Sequence, residues 1–129
     1  MTASDSGERF REGQVWTYAT RPGEEGSTLL INRIDDHPDF GRVFHLSLRE
    51  LRVRSDNSPG GFATTMSHCP VSLETMEASA VDCIGDEPAD PDHAEGYEQW
   101  RRAVDEEGAG VWTLPVAEIV DTMEQAING

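Results

Sequence analysis

Lysine is absent from this sequence; all 10 basic residues are arginine. That absence excludes a Schiff-base lysine, a pyridoxal attachment point and the lysine of a phosphate-binding loop. Cysteine is nearly absent as well. Cys69 and Cys83 are the only two, too few for a disulfide framework, and they lack the paired spacing of a zinc site. Two reduced thiols are expected, although sequence alone leaves a bond between them open. No apolar run approaches the roughly 20 residues of a membrane helix. The N-terminal "MTASDSGERFREG" has no basic start followed by an apolar stretch, so no secretory signal is read and the cytoplasm is the expected location.

Acid is what the chain has in abundance. Asp and Glu number 25 against the 10 arginines, a net charge of −15 over 129 residues. The imbalance is uneven. Residues 1–64 hold 10 acids and 8 arginines, a net of −2; residues 65–129 hold 15 acids and 2 arginines, a net of −13. Phosphate contacts need cations, so nucleic acid is not an expected partner. A strongly acidic half suits solubility or docking onto a basic protein. With 36% hydrophobic residues and 27% charged, the composition is that of a globular protein with a real core.

Along the chain, residues 1–12 are polar and read as a flexible tail; 13–129 read as a single domain. "QVWTYAT" (14–20), "STLLINRI" (27–34) and "RVFHLSLREL" (42–51) alternate and are rich in β formers, so each predicts a strand. Phe44, Leu46 and Leu48 share one face of the third. "RVR" (52–54) extends that strand or starts a fourth, and "FATTMSH" (62–68) is a short strand. Between them lie turn segments at "DDHPDFG" (35–41) and "SDNSPGG" (55–61). After Pro70 the period changes. "SLETMEASAVDCI" (72–84) predicts a helix with Leu73, Met76, Ala80 and Ile84 on one face and Ser72 as its N-cap. "GDEPADPDH" (85–93) is a loop. "AEGYEQWRRAVDEE" (94–107) predicts a helix with Tyr97, Trp100 and Val104 aligned, stopped by Gly108. "GVWTL" (110–114) reads as a short buried strand. Pro115 opens a last helix with Val116, Ile119, Val120, Met123 and Ile127 as its stripe. Strands first and helices after predict an α+β fold: a small antiparallel sheet, or a partly open SH3-like barrel, in the N-terminal half, covered by about three C-terminal helices.

Two constellations are candidates for function. In "RPGEEG" (21–26) the type II turn chemistry accounts for Pro22 and Gly23 but not for the charges. Arg21 is a candidate clamp for a carboxylate or phosphate, with Glu24 and Glu25 orienting it; solvated charges at a hairpin tip are the plainer reading. Arg52 and Arg54, in a cluster with Arg42 and Arg49, are candidates for an anion site, against pairing with the acidic half. The second constellation is the acidic face of Asp86, Glu87, Asp90, Asp92 and Glu95. His68 and Cys69 are adjacent, so on a strand they point to opposite faces and make no nucleophile–base pair. Asp35, Asp36, His37 and Asp39 lack the pattern of a calcium loop. No metal site and no cofactor are expected.

"GQVWTYATRPGEEGS", "GYEQWRRA" and "AGVWTLPVAEIVDTMEQA" resemble segments of a group of small bacterial proteins, a resemblance that covers nearly the whole chain and brings no function with it. The stretch "GQVWTYATRPGEEGSTLLINRI" and the helix after "TLP" also resemble the MazF/PemK-type toxins. Those are small β-barrels that cut RNA, so this resemblance implies a barrel. It carries over no catalytic residue, and the net charge argues against RNA cleavage.

The expectation for function is a non-enzymatic acidic module that masks a basic surface on a partner protein, in the manner of antitoxin, immunity or inhibitor proteins. The alternative is a small enzyme or anion-binding domain built on Arg21 with Glu24 and Glu25.

Overall fold

The structure is a computed structural model that describes residues 9–56 and 58–128. It is α+β: a five-stranded antiparallel sheet with helices on both faces, and the sheet does not close into a barrel. The strands are β1 (Gln14–Tyr18), β2 (Thr28–His37), β3 (Gly41–Arg49), β6 (Met66–Ser72) and β7 (Ala80–Asp86), in the spatial order β6-β3-β2-β1-β7. A separate two-stranded ribbon joins β4 (Val53–Arg54) to β5 (Phe62–Ala63). The helices are α1 (Leu73–Ser79), α2 (His93–Glu107) and α3 (Val116–Asn128). α1 therefore lies mid-chain, carrying the chain from the β6 edge to the β7 edge.

Alternation along β3 builds both layers. Phe44, Leu46 and Leu48 face the main core, where Trp16, Tyr18, Leu29, Ile31, Cys69 and Val71 of the other strands meet Met76 of α1 and Val116, Ile119 and Val120 of α3. Val43 faces the other way, against Tyr97 and Trp100 of α2. Ser72 caps α1 as expected, accepting a hydrogen bond from the Thr75 amide. Gly108 ends α2 in the left-handed conformation, φ 72°, which glycine adopts without steric cost.

Several expectations are corrected. Residues 9–12, read as part of the tail, are packed: Phe10 is buried against Trp16 and Phe44, and a Glu12 carboxylate oxygen accepts from the Ile34 amide. Residues 1–8 of that tail, and Asn57 in the 55–61 loop, lie outside the described residues. The helix expected over 72–84 stops at Ser79, and the chain continues as β7 along the free side of β1. Ile84 is accordingly exposed rather than core. The segment 110–114 is not a strand; among the described residues its β pairing is a single parallel bridge, Val71 to Trp112. The turn after β2 is shorter than expected, because strand pairing runs through Asp35, Asp36 and His37. Ile127 lies exposed, outside the buried stripe of α3. No helix among the described residues is long and apolar enough to cross a membrane.

Candidate functional site

The turn after β1 has the expected chemistry. The Glu24 amide donates to the Arg21 carbonyl at 3.1 Å, and Gly23 sits at φ 91°, the conformation a type II turn requires at that position. Arg21 closes a fork on Glu24, with both nitrogen–oxygen distances 2.9 Å. Its other donors reach Asp121 at 3.0 Å and Glu124 at 3.1 Å on α3, and the Arg52 carbonyl at 3.2 Å. Glu24 is buried and also accepts from the Arg52 amide at 2.6 Å. These contacts raise the Arg21 guanidinium further above its ordinary value, the Glu24 fork being the largest cause. Arg21, Glu24, Arg52 and Arg54 line a cleft of about 400 Å3 that Phe62, Asp121 and Glu124 complete. The Arg52 guanidinium lies over the Phe62 ring, 4.9 Å from its centre. The Arg54 amide donates to Glu124, a bond that is the main cause holding this carboxyl below its ordinary range. Glu25 stands apart, exposed, with its carboxylate capping the Gly23 amide. Binding an external anion at Arg21 would require breaking contacts to three carboxylates.

The acidic residues lie elsewhere. Asp86 ends β7, Glu87 follows it, and the segment crosses the sheet on its α2 side. The Glu87 amide bonds the Gly13 carbonyl, and the Asp90 amide bonds Asn32 of β2. Pro91, Asp92 and Glu95 then border a depression of about 470 Å3 beside Thr65 and Ser67, next to the opposite edge. The acids divide into two sets. Glu87 pairs with Arg49 at 2.8 Å, and Asp90 accepts from Ser47 and the Asp92 amide. Asp82, Asp86, Asp92, Glu95 and Glu98 are exposed and form no ion pair with any described residue. In sequence they make an acidic band from β7, which carries Asp82 and Asp86, to the first turns of α2, which carry Glu95 and Glu98.

A third arrangement, between the sheet and α2, escaped the sequence reading. His45 is fully buried on β3; one ring nitrogen meets His68 of β6 at 2.9 Å and the other meets Asp35 of β2 at 3.1 Å. The Tyr97 hydroxyl donates to the same Asp35 oxygen at 3.0 Å, and Arg101 donates to that hydroxyl. Burial pushes His45 and His68 down to about 4, so both rings are neutral at pH 7. Asp35 is charged: burial opposes its ionisation, but donors from Arg33 and Tyr97 outweigh it and hold the carboxyl low. With an acceptor at Asp35, His45 carries its proton on Nε2 and accepts from His68 on Nδ1. The available signal was parity: His45 and Ser47 alternate with Phe44, Leu46 and Leu48, marking a second buried face. Cys69, on the opposite face from His68, is a buried free thiol pushed up to about 12 by burial; Cys83 is free and exposed. Among the described residues no group of three or more His, Cys, Asp or Glu side chains is arranged to hold a metal ion.

No family model, curated protein or solved structure matches the chain.

Proposed function

We propose that the protein is a binding module whose acidic band docks onto a basic surface of a partner protein and masks it. One observation carries this reading: Asp82, Asp86, Asp92, Glu95 and Glu98 stand exposed and form no ion pair with any described residue, while Arg21, Arg33 and Arg42 of the other half pair with acids outside this set. Arg21 reaches α3 acids, Arg33 pairs with Asp35 and Arg42 with Asp36. A band of one sign raises the rate of encounter with the opposite sign and repels wrong partners.

The test is affinity capture from the source cells at about 50 mM and about 300 mM salt, a range over which screening shortens from roughly 14 to 6 Å. Wild type is compared with Asp86→Asn/Asp92→Asn/Glu95→Gln, three exposed acids outside every ion pair among the described residues. A basic protein retained by wild type at low salt, and lost both at high salt and with the variant, is the expected result. Equal capture by both proteins would refute the reading.

A further inference from the structure

β7 is an edge strand whose outer side pairs with no described residue. It is also the least covered strand: every residue from Val81 to Asp86 is exposed. Of the four large hydrophobic side chains that stand exposed in the described structure, two are on this strand, Val81 and Ile84, each at 57%. Its match to β1 shifts register twice, so that Val81, Asp82 and Ile84 face no Cα partner there. Two acids of the acidic band, Asp82 and Asp86, lie among these apolar residues.

Resting on the masking role proposed above, we infer that β7 receives the basic partner as an added strand: an extended segment carrying both cationic and apolar side chains pairs along Ala80–Asp86. Backbone groups on an open edge supply hydrogen bonds, and alternate side chains supply selectivity. Val81 and Ile84 give the apolar contact; Asp82 and Asp86 select cations. A second copy of this chain is the poorer occupant, because pairing two β7 edges sets acids against acids between molecules that each carry −15. The same acids guard the edge against self-association until a cationic strand arrives.

The experiment uses the full chain and two synthetic probes: a short alternating Lys–Val peptide, and the same peptide with every backbone amide N-methylated. The second keeps the charge and loses the capacity to pair. Binding is read by fluorescence anisotropy and located by hydrogen exchange. The first peptide is expected to protect amides within 80–86, to bind at least about tenfold more tightly than the methylated one, and to weaken with Val81→Thr/Ile84→Thr. Equal binding of the two peptides, or protection outside 80–86, would overturn strand addition while leaving the acidic docking surface standing. Failure of both peptides to bind would count against both readings. A dimer in sedimentation with 80–86 protected before any peptide is added would make a second copy the occupant and overturn the inference.

Discussion

At Arg21 a single guanidinium ties three parts of the chain together: its own turn through Glu24, the approach to β4 through the Arg52 carbonyl, and α3 through Asp121 and Glu124. Exposed ion pairs contribute little. This one differs because the Glu24 side chain is only 2% exposed. Removing the arginine leaves a buried charge with one backbone donor, a situation that costs about 3–5 kcal/mol. Arg21→Gln is therefore expected to lower the unfolding free energy measured by urea titration by an amount in that range. A change below about 1 kcal/mol would mean that the pair behaves as a surface pair.

The histidine pair gives a pH dependence with a definite sign. Both side chains are lowered from 6.5 to about 4 in the folded state, so between those values the unfolded chain binds more protons. Stability conferred by the neutral rings is whole above pH 6.5 and is lost as pH falls toward 4. Each histidine contributes a slope of at most about 1.4 kcal/mol per pH unit, less for His68, which solvent partly reaches. Urea unfolding measured from pH 7 to 4.5 should show this decline. His68→Gln, which keeps a donor for His45, should flatten it. An unchanged slope in the variant would remove His68 from the account.

Among the elements, α2 depends on one missing side chain. A Cβ added at Gly96 would lie 2.6 Å from the Cβ of His68, an atom that cannot move without its strand. Gly96→Ala gains about 1 kcal/mol of helix propensity and incurs about 1–3 kcal/mol of overpacking. The crowding is expected to win, giving a lower melting temperature and an altered near-ultraviolet signal from Trp100. A more stable variant would show that α2 slides freely on the sheet. Segment 72–84 teaches a related lesson. Its apolar spacing fits a helix, yet the chain turns at Ser79, whose hydroxyl accepts from the Val116 amide, and 80–86 joins the open side of β1. An isolated helix of that length is marginal in water, so strand pairing at a free edge overrides the period.

For the whole molecule, charge is the dominant property. A net −15 with several acids outside any ion pair among the described residues makes the compact state self-repelling. Salt should therefore stabilise the protein: the melting temperature at pH 7 is expected to rise by a few degrees between about 20 and about 500 mM NaCl as the screening length falls. A fall would show that the internal ion pairs outweigh the repulsion.

Sequence by itself determined the α+β class, the first three strands, the Arg21–Glu24 turn, the caps at Ser72 and Gly108, and the asymmetry of charge. These are local: alternation, turn dihedrals and capping act over a few residues, and charge is a count. Tertiary structure decided the rest. It placed His45, His68 and Asp35 within hydrogen-bond reach from three strands, folded Phe10 into the core, turned 80–86 into an edge strand, and sorted the acids into Glu87 and Asp90, which are engaged, and Asp86, Asp92 and Glu95, which form no ion pair with any described residue. Each of these depends on which distant segment lies alongside, and that is fixed by strand order and the packing of helices on both faces, which no local pattern encodes.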